Sequence, residues 1–280
     1  FTPWHLVFYA GFAASSAWIL RLLTLRSGPL RDRIPVGYGA AVVGLMFFAL
    51  GGLGDLVWHS FLGVEVGIDA LLSPTHLVLM AALLAIVTAP YRAGLASGPS
   101  TQAGTIPVVS LGVGTGLVAF FVNFTWGLGD GGFRILYDPA TGAGEVAVIG
   151  GIASAIVTTL VLVGAVLFLL RLGPPRVGVF TVLFGSVSLL VHVAFEEEAI
   201  GVVAALLGGV LLDLLFATRT ATRFPRISIG ASMAATWSVY YGLASVTDRV
   251  AWPPEIWTGA IFLCTFAAFG LACLARVSIK

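Results

Sequence analysis

Apolar runs of about 20 residues recur along this chain, each long enough to cross the roughly 30 Å hydrocarbon core of a bilayer as a helix. No long polar stretch separates them, so nothing in the sequence offers a soluble domain. The composition agrees: 59% hydrophobic against 10% charged residues leaves too few charges to solvate a globule of 280 residues. The predicted fold class is therefore all-α, a polytopic transmembrane helix bundle in which the lipid bilayer is the first partner. We read nine spans, at 4–23, 36–58, 74–90, 107–127, 147–170, 177–195, 199–217, 228–245 and 256–275, forming one integral-membrane domain over 1–280.

Orientation follows from the cations. Arg21, Arg26, Arg31 and Arg33 follow the first span, Arg92 the third, Arg171 and Arg176 the fifth, Arg219, Arg223 and Arg226 the seventh, and Arg276 with Lys280 the ninth. Twelve of the 14 cations thus share one face, leaving Arg134 and Arg249 opposite. That face is expected to be cytoplasmic in a cell (plasma) membrane, with the N-terminus of the given chain outside and the C-terminus inside. Of the 13 acids, 11 gather at the outer ends, Asp32 and Asp213 being the exceptions. A net charge of +1 gives no sign of nucleic-acid binding. Cys264 and Cys273 are too far apart along one predicted helix to pair, which leaves them as packing residues or weak metal ligands.

The sequence also repeats itself. Thr2-Pro3-Trp4-His5-Leu6-Val7 matches Ser73-Pro74-Thr75-His76-Leu77-Val78. In the second copy this segment follows a helix ending Asp55-Leu56-Val57-Trp58-His59, so the first copy is expected to have had its own upstream helix, missing here. In a third copy Trp237, Gly242, Asp248 and Pro253 align with Trp58, Gly63, Asp69 and Pro74, while Ala234, Ser238 and Glu255 replace Asp55, His59 and His76. Asn123-Phe124-Thr125-Trp126-Gly127 is a fainter echo. Together these predict a bundle of repeated helix hairpins in which some copies keep polar ligands.

Within lipid-grade sequence, an acid and two imidazoles are costly unless partnered. Asp55 and His59, four residues apart, share one helix face near the outer boundary, and His76 opens the next span. A hairpin through the 60–73 loop brings all three together. A carboxylate with two neutral imidazoles suits copper or zinc, and also iron, with Glu65 and Asp69 as candidates to orient the rings. The same spacing equally suits an Asp55–His59 pair at a helix end with His76 capping the next helix.

The pattern Asp-x-x-Trp-His, then an acid, then Ser-Pro-x-His and an aliphatic residue resembles the membrane-embedded C subunit of particulate methane and ammonia monooxygenases. Phe1-Thr2-Pro3-Trp4-His5 with Phe8-Tyr9 is similar to the second half of that motif. The resemblance implies copper as the cofactor, held by Asp55, His59 and His76, with His5 the remnant of a truncated copy. It further implies a copper-dependent membrane monooxygenase complex, in which other membrane subunits and an exposed cupredoxin-like subunit are the partners. The His59–His76 interval is longer than in that family, and the Arg that there precedes the loop acid is absent. The other readings of the chain are a non-catalytic metal-handling or scaffold subunit and a haem b carrier ligated by two His.

A second polar group, His192 with Glu196, Glu197 and Glu198, reads as a solvated turn or as a second metal site. Asp213 is expected to reach the cytoplasmic interface or an Arg of the 219–226 loop. Trp4, Trp58, Trp126, Trp237, Trp252 and Trp257 fall near outer ends, as an aromatic belt or, around Trp58, a substrate pocket. The Gly-rich 127–145 loop is expected to cover the outer face or meet a partner.

Overall fold

The structure, a computed structural model, describes residues 3–98, 103–129, 132–218 and 220–276, without the side chains of residues 3–5. The chain divides into two compact units, Phe1–Pro99 with Gly104–Leu117, and Ser100–Ala103 with Val118–Lys280. The first holds α1 (Pro3–Thr24), α2 (Leu30–Arg33), α3 (Gly39–Leu62), α4 (Ile68–Leu72), α5 (Pro74–Val87), α6 (Ala89–Ala96) and most of α7 (Thr105–Phe121). The second holds α8 (Glu145–Leu170), α9 (Val179–Phe195), α10 (Ala199–Ala217), α11 (Thr220–Arg223), α12 (Pro225–Val246) and α13 (Pro254–Leu274). No β-strand occurs among the described residues; Asp138 and Ala143 form one isolated bridge.

A helix occupies each of the nine apolar segments, but their capacity to span differs. Among the described residues α1, α3, α8, α10 and α13 are long and apolar enough to cross a membrane. The pair α5–α6 makes a sixth if its 42° bend lies within one span. Helices α7 and α9 are apolar but only 17 residues long. Helix α12 has the length, at 22 residues, but carries Ser228, Ser232 and Thr236 on a face buried inside its unit. This is a helical protein of multi-pass membrane type.

In the first unit α3 and α5 form a hairpin packed through small residues. A Cβ on Gly44 would lie 2.8 Å from the Ala82 carbonyl, and one on Gly51 3.1 Å from Leu79. Helix α1 runs antiparallel to α3: Tyr9 meets the edge of Phe48 and lies beside Gly52, Phe12 stacks on Phe48 at 4.3 Å, and Ile19 joins the core with Ala41.

The predicted third span is bent because Pro90 cannot donate to the preceding turn. Tyr91 N, which would bond Val87 O in a continuous helix, instead donates to Ser110 Oγ at 3.1 Å, and that hydroxyl donates to Val87 O at 2.6 Å. Arg92 completes the repair by donating to Ala85 O, Thr88 Oγ1 and Gly37 O.

The second unit buries several pairs of polar groups that satisfy one another. Helix α9 starts at Gly178 (φ 92°), which has no side chain to cap it. Asp213 of α10 does so instead, accepting from Phe180 N at 3.3 Å and from Thr181 N and Oγ1 at 2.9 and 2.6 Å. Sequence predicts an interfacial or Arg-paired role for Asp213; what the structure gives it is this cap. The belt expectation also fails for three residues, since Trp126, Trp237 and Trp252 are 4%, 1% and 3% exposed. Trp237 Nε1 donates to Thr159 Oγ1 at 2.8 Å. The glycine-rich loop does not merely cover a face: Leu128 and Phe133 are buried, and Tyr240 donates to Gly129 O.

Candidate metal centre

Three consecutive pieces of unit one build the site: the last turns of α3, the 63–73 connection and the first turn of α5. Gly63 ends α3 with φ 85°, a conformation natural to glycine, and its N–H returns to His59 O at 3.1 Å. Its carbonyl turns back to lie 3.0 Å from His59 Nδ1. At the start of α5, Ser73 is the N-cap, accepting weakly from His76 N at 3.4 Å, and Pro74 takes the first helical position.

This geometry brings Asp55, His59 and His76 together, with one ligating atom of each within 4.8 Å of the others. His59 Nε2 lies 3.3 Å from Asp55 Oδ2, and His76 Nδ1 lies 3.6 Å from Asp55 Oδ1. The two rings sit 5.8 Å apart. Asp55 is buried and both imidazoles are partly so. Thr75 Oγ1 fixes the carboxylate by donating to Oδ1 at 2.8 Å.

The donor set fits a transition ion. Bonds of about 2.1 Å in a tetrahedron separate neighbouring ligand atoms by about 3.4 Å, close to the two contacts with Asp55. Tautomer chemistry points the same way. A carbonyl only accepts, so the Gly63 contact places a proton on His59 Nδ1, and in the neutral ring this leaves the Nε2 lone pair facing a carboxylate. Two acceptors so placed repel, and a metal ion or a proton between them relieves that repulsion. For His76, Nδ1 is 2.6 Å from Ser73 Oγ, which also lies 3.3 Å from Thr75 Oγ1. The Ser73 proton thus has an alternative acceptor, so Nδ1 can be freed by rotating one hydroxyl.

Of the two loop acids, Glu65 reaches the site and Asp69 is exposed on α4. Glu65 Oε1 accepts from Trp58 Nε1, and Oε2 lies 3.1 Å from His59 Nδ1. Spacing gave no preference between the two acids; the reversal at Gly63 decides it. Arg92 is tied to Gly37 at the start of α3, about 25 Å along that helix from Asp55. Arg21 lies at the same end, because α1 is antiparallel to α3.

The remaining candidates behave differently. His192 Nδ1 contacts the Glu197 backbone carbonyl, and Glu198 pairs with both Arg134 and Arg249. Among the described residues no second group of three or more such ligands converges. His5 belongs to α1, but its side chain lies outside the described residues. Cys264 is buried and Cys273 partly so, both unpaired. Comparison with known protein families, with curated proteins and with solved structures gave no match for this chain.

Proposed function

We propose that this chain is a copper-binding membrane subunit of a monooxygenase-like complex, with the ion held by Asp55, His59 and His76. The observation that carries the metal reading is the convergence of His59 Nε2 and His76 Nδ1 on the buried Asp55 carboxylate. Copper rather than zinc rests on the local sequence resemblance. The reading includes nine crossings of the cell membrane, the basic face cytoplasmic and the centre at the outer boundary. Burial of the α12 hydroxyls supports its crossing, since those groups do not meet lipid. Bound copper would supply dioxygen activation where the membrane concentrates apolar substrates. In this chain Asp55 would supply the anionic ligand between the two imidazoles, Thr75 holds Asp55, and Gly63 keeps a proton on His59 Nδ1. A second membrane subunit and an exposed cupredoxin-like subunit belong to the same proposal.

A non-catalytic metal-handling or scaffold role would use the same three ligands. A haem held by two His is less well supported, because a carboxylate sits between these imidazoles. The test is metal analysis of the protein purified from native membranes. Copper in the wild type and its loss in His76→Ala supports the reading, while equal metal content in both removes it. Oxygenase activity persisting in a copper-free His76→Ala complex would favour the scaffold role, and a Soret band would favour haem.

A further inference from the structure

We propose that Glu65 is the second carboxylate of this centre and makes it select divalent over monovalent ions. The proposal rests on the metal reading of Asp55, His59 and His76. Three observations lead to it.

First, Glu65 is committed to the site although it comes from the loop. Trp58 Nε1 donates to its Oε1, and its side chain is only 16% exposed. Second, its other oxygen is shut off from water and accepts no hydrogen bond from the described residues, although it lies 3.1 Å from His59 Nδ1. The Nδ1 proton is aimed at Gly63 O instead, so the contact is one of charge rather than of hydrogen bonding. A buried carboxylate oxygen without a donor is costly unless positive charge lies close by. Third, no Arg or Lys pairs with Asp55 or Glu65 among the described residues; the ionisable side chains beside them are the two imidazoles, which are neutral when they act as metal ligands. The Arg residues of this unit lie toward the opposite end of α3.

Two carboxylates and two neutral imidazoles carry a formal charge of −2. A divalent ion bonded to His59 Nε2 cancels that charge, and Glu65 feels it through the ring. A monovalent ion leaves one charge uncompensated in a low-dielectric setting, where such an excess is expensive. Glu65 is therefore a positioning and specificity residue: it need not touch the ion, and it acts on it through His59.

The experiment is a competition titration of the full chain in detergent. Zn²⁺ is measured against a chromogenic chelator and Cu⁺ against a cuprous chelator without oxygen, with an Asp55→Asn/His59→Ala variant as background. Glu65→Gln keeps the shape and removes the charge. It is expected to weaken Zn²⁺ binding about tenfold or more, as loss of a group behind a ligand His does, and Cu⁺ binding by clearly less. Trp58→Phe removes the hydrogen bond but keeps the charge, so it should leave the Zn²⁺/Cu⁺ preference in place. Equal losses for both ions in Glu65→Gln would mean a structural role only and overturn the inference, as would no loss at all. A wild-type chain that binds neither ion removes the metal reading and this inference together.

Discussion

The cap on α9 allows a worked prediction, because Asp213 and Phe180 are buried, Thr181 is half-buried, and each donor's partner is known. Asp213→Ala removes the acceptor of Phe180 N, Thr181 N and Thr181 Oγ1. Gly178 has no side chain to take over, and Phe180 and Leu212 beside the cap are buried. Each orphaned donor costs about 1 kcal/mol at the low end of the usual range, so the loss should be about 3 kcal/mol. Asp213→Asn keeps one carbonyl oxygen. Placed where Oδ2 stands, it still serves both Thr181 groups and gives up the longer Phe180 contact and the negative charge at a helix N-terminus. Its cost should be about 1 to 1.5 kcal/mol. Reversible unfolding in mixed micelles, followed by tryptophan fluorescence, measures both. The ranking Ala worse than Asn by about twofold or more is the signature of capping. Two variants that each fall within about 0.5 kcal/mol of wild type, the range of ordinary surface substitutions, would refute the argument.

Three other outcomes are open to measurement. Thr75→Val removes the 2.8 Å hydrogen bond to Asp55 and should lower metal affinity about tenfold in a chelator competition, leaving the helical signal intact. Gly201→Ala would put a Cβ 1.8 Å from the Leu128 carbonyl, whereas Gly150→Ala meets nothing within 4 Å. The first should cost about 1 to 3 kcal/mol or more in the same unfolding assay, and the second should be neutral or slightly stabilising. Hydrogen bonds from Thr141 and Ala140 hold the Asp138 carboxyl below its usual range. The turn at 138–143 should thus keep its order as pH falls past the ordinary aspartate range and lose it only on passing through the depressed value. Carboxyl-carbon NMR of labelled Asp138 checks this, and a midpoint at or above about 3.9 contradicts it.

How much of this was legible in the sequence depended on the distance between cause and effect along the chain. The helices were legible because apolar length is a local property, and so was the shared face of Asp55 and His59. The hairpin that brings in His76 could be read from a short loop flanked by two apolar runs. The bend at Thr88 could be read only in part. Pro90 announces a break, but the Ser110 hydroxyl that fills it comes from another helix. The capping role of Asp213 is hidden for the same reason: its partners are on α9, invisible to an argument from its own neighbours. Trp237 looked like a belt residue by its place near a helix end, yet its indole is inside the unit because Thr159 offers a buried acceptor. At the candidate centre, the choice of Glu65 over Asp69 depends on the positive φ of Gly63, which residue order suggests without specifying its direction.

The central claim concerns what lies between Asp55, His59 and His76, and X-ray absorption on the bound ion addresses it most directly. The account predicts a first shell of light atoms at about 2.0 to 2.2 Å with the multiple-scattering pattern of two imidazoles. A shell dominated by sulfur at about 2.3 Å would place the ion at cysteine and contradict it.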